Sequence, residues 1–104
     1  ELDGILFDSK KEANRYAELK ILERAKLIKD LKLQPSFNLL DTFTNGANKT
    51  VRGVTYIADF AYYDLEKDRY VVEDVKSEGT KTQAYGIKKK LFESKYHPLV
   101  IEEV

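Results

Sequence analysis

The feature that most constrains the fold is a pair of strand-like segments joined by a short charged turn. Residues 51–63 are rich in β-branched and aromatic side chains, which favours a long strand in which Gly53 suggests a bulge. Residues 64–68 form the turn, and a further strand runs from Arg69 to about Lys76. The sequence therefore predicts an antiparallel β-hairpin around which the rest of the chain must pack.

The turn determines which residues of the hairpin face each other. If it is centred within residues 65–68, Ala61 pairs with Val72 and Asp59 pairs with Asp74. Directly opposed Cβ atoms lie roughly 4.5–5.5 Å apart, so two carboxylates would meet on one face of the hairpin. A slip of one residue in the turn would instead send Asp59 to the opposite face.

Two carboxylates at this distance repel unless a positive charge compensates them. Lys76 shares a face with Asp74 and offers one such charge, and a divalent cation would offer two. Carboxylate oxygens suit Mg²⁺ or Mn²⁺, which makes Asp59 and Asp74 candidate metal ligands. The alternative interpretation is a solvent-exposed sheet edge where Lys76 simply neutralises the two acids.

A helix and a strand are predicted before the hairpin. Ser9 and Glu12 have the spacing of a capping box, and the apolar residues that follow recur every three or four positions. This pattern predicts a helix over residues 9–28. Alternating apolar and polar residues over 33–39 then predict a strand, in which Pro35 favours an edge position or a bulge.

A loop over residues 77–80, a second helix and a last strand follow the hairpin. Thr80 or Thr82 can cap this helix, which ends near Tyr96, and the last strand covers 99–101. The residues predicted to face the core from this helix are Ala84, Ile87, Leu91 and Ser94, with Phe92 and Tyr96 beside them. The prediction is one α/β domain over the whole chain, 1–104, with a mixed sheet flanked by helices.

Glu12 has two interpretations. As the third residue of its helix, Glu12 can reach back to the Ser9 amide and complete the cap, which is the usual role at this position. Alternatively, the start of the helix lies over the acidic face of the hairpin, and Glu12 adds a third carboxylate to Asp59 and Asp74. The sequence leaves both roles open.

Composition and charge limit the kinds of metal site and catalytic group that the chain can contain. The chain has no Cys and one His, so disulfides, thiolate metal sites, Cys nucleophiles and multi-His zinc sites are excluded. Residues 57–75 carry six acidic and two basic side chains, while the flanking segments 10–32 and 76–95 are both basic. An acidic centre between basic segments suits a cation site beside phosphate-binding surfaces, although lysine-rich helices are often merely well solvated.

These residues resemble a known signature. Asp59, and after an interval Asp74-Val75-Lys76, is similar to the D…(D/E)-x-K signature of the PD-(D/E)XK nuclease superfamily. The resemblance covers nearly the full chain and extends to small phage and prophage proteins, transposon endonuclease subunits and archaeal Holliday-junction resolvases. The similar segments are residues 7–12, 33–37, 56–60 and 72–76. Ala58 stands where the superfamily name has Pro, a position that is not a ligand.

The resemblance implies a restriction-endonuclease-like α-β-β-β-α-β core and a phage-related, metal-dependent DNA endonuclease in the cytoplasm of a bacterial host cell. Asp59, Asp74 and the Val75 carbonyl would hold one or two Mg²⁺ or Mn²⁺ ions, with Glu12 as an outer ligand. Lys76 would orient the attacking water or stabilise the charge that develops on the phosphate. Selectivity for DNA structure and a homodimer are expected, and no nucleotide cofactor.

The basic residues of both helices are the candidate DNA contacts, with salt-sensitive and largely sequence-independent binding. They are Lys10, Lys11 and Arg15 in the first helix, and Lys81, Lys88 and Lys89 at the second. Two alternatives stay open. One is a catalytically inactive nuclease fold that binds DNA as an accessory protein, and the other is a module whose acidic hairpin docks a basic protein.

Overall fold

The structure is a computed structural model that describes residues 3–76 and 81–104. The helices are α1, Lys10–Arg24, and α2, Gln83–Lys95. The strands are β1 Ile28–Leu33, β2 Ser36–Leu40, β3 Phe43–Thr44, β4 Thr50–Val51, β5 Val54–Ile57, β6 Phe60–Asp64, β7 Arg69–Asp74 and β8 Ile101–Glu103. The loop predicted over 77–80 lies outside the described residues. Neither α1 nor α2 has the length and apolarity needed to cross a membrane.

Four strands form a mixed sheet in the order β1-β6-β7-β8. β6 pairs antiparallel with β1 and β7, while β8 lies parallel to β7 after a crossover through α2. The β6–β7 ladder pairs Ala61 with Val72, as predicted, and its last pair is Phe60 opposite Glu73. The predicted α/β class, with a mixed sheet and two helices, is confirmed.

One helix covers each face of the sheet. Leu19 of α1 packs in a buried cluster with Phe60 and Val71, and Phe92 of α2 packs in a second cluster with Val72. These residues alternate along β6 and β7, so neighbouring positions face opposite helices. The two hydrophobic cores are therefore separated by the hairpin that the sequence predicts.

The helix boundaries and faces differ from the prediction in two respects. α1 ends at Arg24 because Lys26 adopts a left-handed conformation (φ 62°) and the Leu27 N–H donates to the Leu22 carbonyl in a Schellman motif. Ile28 then begins β1 instead of ending the helix. The face predicted for α2 is also wrong, because Ala84, Ile87, Leu91 and Ser94 are all exposed.

The predicted strand over 33–39 is divided between two sheets, and the predicted strand over 51–63 is divided among three. The chain leaves the four-stranded sheet at two of these breaks: one separates β1 from β2, and the other separates β5 from β6. Gln34, at the first break, has a left-handed backbone (φ 50°), and its N–H donates to the Asp59 carbonyl at the second (2.9 Å). The two breaks therefore lie side by side, where the chain leaves the four-stranded sheet.

Beyond the breaks, residues 36–57 form a two-stranded ribbon that we call the β-arm. β2 pairs antiparallel with β5, and β3 continues the ribbon by pairing antiparallel with β4. The inner half packs against α2 through the buried side chains of Leu39 and Tyr56. The predicted Asn45-Gly46 turn lies at the outer tip. The β-arm thus starts beside Asp59 and projects from the core.

Candidate active site

The predicted carboxylate pair lies at one end of the four-stranded sheet. Asp74 is the last residue of β7, and Asp59 occupies the break between β5 and β6. The Asp59 N–H donates to the Glu73 carbonyl (3.1 Å), and Asp59 Oδ2 accepts from the Val75 N–H (2.7 Å). These bonds place Asp59 beside Asp74, and both side chains line the same cavity.

The surroundings of this pair oppose two full negative charges. The Asp74 side chain is buried, and Asp59 is half-buried. Burial, with the Asp74 charge beside it, raises the pKa of Asp59 to about 6, although the Val75 N–H and the Lys76 charge act in the opposite direction. Two acids in one poorly hydrated site behave in this way. The pair therefore either keeps a proton near pH 6 or accepts a cation.

Glu12 approaches the pair from the start of α1. Its backbone N–H donates to Ser9 Oγ (3.1 Å), which confirms Ser9 as the N-cap. Its side chain is 7% exposed and lines the same cavity as Asp59 and Asp74. Burial raises the pKa of Glu12, and the charges of Asp59, Asp8 and Asp74 raise it further. This placement favours the third-carboxylate role over the capping role.

Lys76 and two tyrosines complete the group. Lys76 Nζ lies 3.1 Å from Asp74 Oδ1 and 3.9 Å from the centroid of the Tyr85 ring, and its side chain is 17% exposed. The Tyr56 hydroxyl donates to Asp74 Oδ2. Each oxygen of Asp74 is therefore engaged, and the ammonium group of Lys76 is held between a carboxylate and an aromatic ring.

Tyr56 and Tyr85 carry no signal in the sequence that predicts their place at this site. In one continuous strand, residues 56 and 59 would face opposite sides, so the break at Asp59 is what brings Tyr56 to Asp74. Tyr85 lies in the first turn of α2, where its hydroxyl donates to Glu103 of β8 (2.7 Å). No spacing in the sequence indicates that contact, because it depends on how α2 crosses over the sheet.

A cavity of about 490 Å³ opens above this group, and the N-termini of both helices reach it. The N-cap residues Ser9 and Thr82 line it, together with Lys88 of α2. Helix N-termini attract anions through their free N–H groups and their dipoles. Acidic side chains and anion-attracting groups in the lining of one cavity suit a phosphate bound through a cation.

Two of the predicted DNA contacts have partners inside the protein. Arg15 Nε and Nη2 lie 2.8 Å and 2.5 Å from the carboxylate of Glu73, which is 1% exposed and also accepts from the Tyr62 hydroxyl. Lys11 Nζ donates to the Lys76 carbonyl. The Arg15 contacts favour a structural role for this residue, and Lys11 reaches the edge of the acidic group.

The remaining four predicted DNA contacts differ in whether they have an acidic partner within the protein. Lys81 and Lys89 lie 2.9 Å and 3.8 Å from the Glu103 carboxylate. Lys88 lines the cavity, and Lys10 is exposed at the start of α1. Among residues 3–76 and 81–104, neither Lys88 nor Lys10 forms an ion pair, so both are free to meet a phosphate.

The donors present fit a magnesium-type ion. Within the described ranges, no set of three or more His, Cys, Asp or Glu side chains is arranged to hold a metal ion as it stands. Asp59 and Asp74 nevertheless bring carboxylate oxygens together, and Val75 and Glu12 line the same cavity. Mg²⁺ binds through one or two carboxylates and keeps several waters, so this donor set suffices.

The family model described as "Protein of unknown function (DUF1064)" matches residues 1–103, so the chain belongs to this family. No curated protein and no solved structure matches the chain significantly.

Proposed function

We propose that the protein is a metal-dependent endonuclease of the PD-(D/E)XK type, with a restriction-endonuclease-like core, that hydrolyses phosphodiester bonds in DNA. One observation carries the proposal: Asp59 and Asp74 line one cavity side by side, and Lys76, which lines it too, lies 3.1 Å from Asp74. An acid pair with an adjacent ammonium group matches the chemistry that phosphodiester hydrolysis needs.

Asp59, Asp74 and the Val75 carbonyl would hold Mg²⁺ or Mn²⁺, with Glu12 as an outer ligand. When bound, the ion would neutralise charge on the scissile phosphate and make a nearby water a better nucleophile. The half-buried Asp59, whose pKa is raised to about 6 by burial and by Asp74, would then ionise fully because the cation replaces the missing solvation.

Lys76 would stabilise the negative charge that builds up on the phosphate oxygens during attack. Its position between Asp74 and the Tyr85 ring restricts its motion before the substrate arrives. Preorganised charge of this kind lowers the barrier because little reorganisation is needed during the reaction. Ser9 and Thr82, at the two helix N-termini, would help to bind the phosphate itself.

One observation favours a second candidate. Because the described residues contain no ready-made group of three metal-ligating side chains, an inactive nuclease fold that binds DNA remains the alternative. The two candidates differ in what metal does. The enzyme needs the ion for cleavage, whereas the binding protein contacts DNA phosphates through Lys10 and Lys88 without it.

A plasmid-nicking assay separates the two candidates. Supercoiled DNA is incubated with Mg²⁺ or Mn²⁺ and wild-type protein, Asp74→Asn or Lys76→Ala. We expect each substitution to lower the nicking rate by at least about 100-fold, as removal of a transition-state-stabilising group does. The matched controls are Asp30→Asn and Lys67→Ala, because both residues are exposed and lie outside the cavity. Equal nicking by all five proteins would contradict the catalytic assignment.

Calorimetric titration with Mn²⁺ tests the metal separately from cleavage. We expect heat of binding with wild-type protein and Asp30→Asn, and none with Asp59→Asn, because the substitution removes a ligand charge. If wild-type protein gives no heat at millimolar metal, with or without DNA, the acidic hairpin is better explained as a docking surface for a basic protein.

A further inference from the structure

The outer half of the β-arm projects away from both hydrophobic cores. Almost every residue from 40 to 52 is exposed, including the aromatic Phe43. The molecule measures 54 × 29 × 25 Å, and its radius of gyration is 15.9 Å. A compact chain of this length has a radius of gyration of about 13 Å. The outer half of this ribbon contributes little to the hydrophobic cores, so we expect it to contact another molecule.

The β-arm is nevertheless firmly built at its tip and at its middle. The Asn45 side chain accepts from the N–H groups of Ala47 (2.9 Å) and Lys49 (3.1 Å), which closes the tip loop. Lower down, a Cβ at Gly53 would lie 2.2 Å from the Leu40 carbonyl oxygen, so the two strands approach more closely there than any other residue allows. Its shape is therefore set by specific contacts.

The β-arm and the candidate active site share one surface. Thr55, Tyr56 and Ile57 of β5 line the cavity that holds Asp59. Thr50, near the outer end, is five residues from Thr55, so the two lie at most about 17 Å apart along the chain. A linear partner that lies in the cavity would pass along the ribbon.

The chemistry of the outer half suits nucleic acid. Within the ranges that the structure describes, its two cations, Lys49 and Arg52, form no ion pair, while its one acid, Asp41, accepts from the Asn38 side chain. The other polar side chains are hydroxyls and amides, namely Thr42, Thr44, Asn45, Asn48 and Thr50. A two-stranded ribbon has the width that the major groove of B-DNA admits.

We infer that the β-arm enters the major groove of the duplex that flanks the cleavage site, with Lys49 and Arg52 meeting phosphates along the groove. This inference rests on the proposed function and specifies its substrate class. At about 3.4 Å per base pair, a reach of at most about 17 Å covers up to some five base pairs of duplex on one side of the scissile phosphate. Single-stranded DNA has no major groove, so it cannot form this contact.

Equilibrium binding in EDTA tests the inference without cleavage. Wild-type protein, Lys49→Glu/Arg52→Glu and the control Lys26→Glu/Lys67→Glu are titrated with labelled duplexes of about 24 and about 4 base pairs. All four positions are exposed, and Lys26 and Lys67 lie near the β6–β7 turn, at the sheet end opposite Asp59. Both variants change the net charge equally, so only the position of the charges differs.

We expect the arm variant to bind the long duplex about 10-fold or more weakly than the control, with a salt slope smaller by about two, because two phosphate contacts are lost. The short duplex should not distinguish the two variants. Equal affinity of both variants for the long duplex would overturn the inference. A second outcome would also overturn it: the arm variant binds DNA as the control does but changes from dimer to monomer. The outer half of the β-arm, with Phe43, would then be a contact between two copies of the chain. If wild-type protein neither binds nor cleaves any DNA, the proposed function itself fails.

Discussion

The ionisation of Asp59 lowers the stability of the fold, and the same ionised carboxylate is the proposed metal ligand. Its pKa of about 6 exceeds its ordinary value of 3.8 because burial and the adjacent Asp74 oppose ionisation. The folded protein therefore binds this proton more tightly than the unfolded chain does. Ionised Asp59 destabilises the fold above about pH 6, and this destabilisation disappears below about pH 3.8.

Asp59→Asn should accordingly stabilise the metal-free protein, and only at higher pH. We expect the free energy of unfolding to rise by about 1 kcal/mol at about pH 8 and to change little at about pH 4, since solvent screens a half-buried group. Urea unfolding in EDTA, followed by circular dichroism at both pH values, measures the difference. Asp30→Asn is the control, and an equal effect of Asp59→Asn at both pH values would disprove the assignment.

Tyr85 offers a second test at the residue scale, because its ring lies 3.9 Å from Lys76 Nζ. We expect Tyr85→Leu to lower kcat for DNA nicking by about 3- to 30-fold, the range of a cation–π contact, whereas Tyr85→Phe keeps the ring and most of the activity. In a Lys76→Ala background, Tyr85→Leu should have no further effect. The same fractional loss in both backgrounds would mean that the ring does not act through Lys76.

Among the elements, the hairpin was the part that the sequence could predict best. Its register depends on a short turn and on alternation along two strands, both of which are local. Ala61 therefore pairs with Val72 as expected, and Asp59 lies beside Asp74 although the ladder stops one pair earlier. The acidic half of the site follows from this register.

The end of α1 and the strand breaks could not be predicted in the same way. The Schellman motif places Lys26, rather than a glycine, in the left-handed conformation, so the usual stop signal is missing. At the second break, Ala58 and Asp59 carry no turn signature. The chain changes sheets there because Gln34 bonds to Asp59 across the two breaks, a contact between residues far apart in sequence.

The face predicted for α2 is wrong at its centre, although Phe92 and Tyr96, which were predicted beside it, do pack in the core. Ile87 and Leu91 are exposed, while Phe92 is fully buried and Tyr85 and Tyr96 pack partly against its cluster. Large aromatic side chains bury more area than aliphatic ones and can keep a hydroxyl at a polar partner. Tyr85 does so through Glu103, which is why the face that carries it turns toward the site.

Gly53 allows a test of the β-arm as an element. A methyl group there would meet the Leu40 carbonyl oxygen at 2.2 Å, so Gly53→Ala must push the two strands apart. We expect a loss of about 1–3 kcal/mol in the free energy of unfolding, or faster amide exchange confined to β2 and β5. Gly46→Ala is the matched control, because a Cβ at Gly46 meets no atom within 4 Å. Similar behaviour of the two variants would contradict the close approach.

Across the whole molecule, the site is assembled from both faces of one sheet. α1 brings Glu12 and α2 brings Tyr85, while Asp59 and Asp74 lie at the end of the hairpin between them. Glu73 precedes Asp74 in β7 and therefore faces α1, where Arg15 binds it. The two consecutive acids of β7 thus have different roles: Asp74 belongs to the site, and Glu73 holds the helix that carries Glu12.

This arrangement predicts that Arg15 matters for stability more than for DNA binding. Arg15→Ala leaves the Glu73 carboxylate, 1% exposed, without its cation, and we expect a loss of about 3 kcal/mol, the lower end for a broken buried pair because Arg15 itself is partly exposed. Glu18→Ala removes only the exposed partner of Arg15 and should change the free energy of unfolding by less than about 0.5 kcal/mol. Arg15→Leu/Glu73→Leu should recover most of the loss, since no unpaired charge stays buried. Urea unfolding of the four proteins measures these differences, and DNA titration of those that fold completes the test. If Arg15→Ala is as stable as Glu18→Ala but binds DNA more weakly, Arg15 is a phosphate contact after all and not the link between α1 and the sheet.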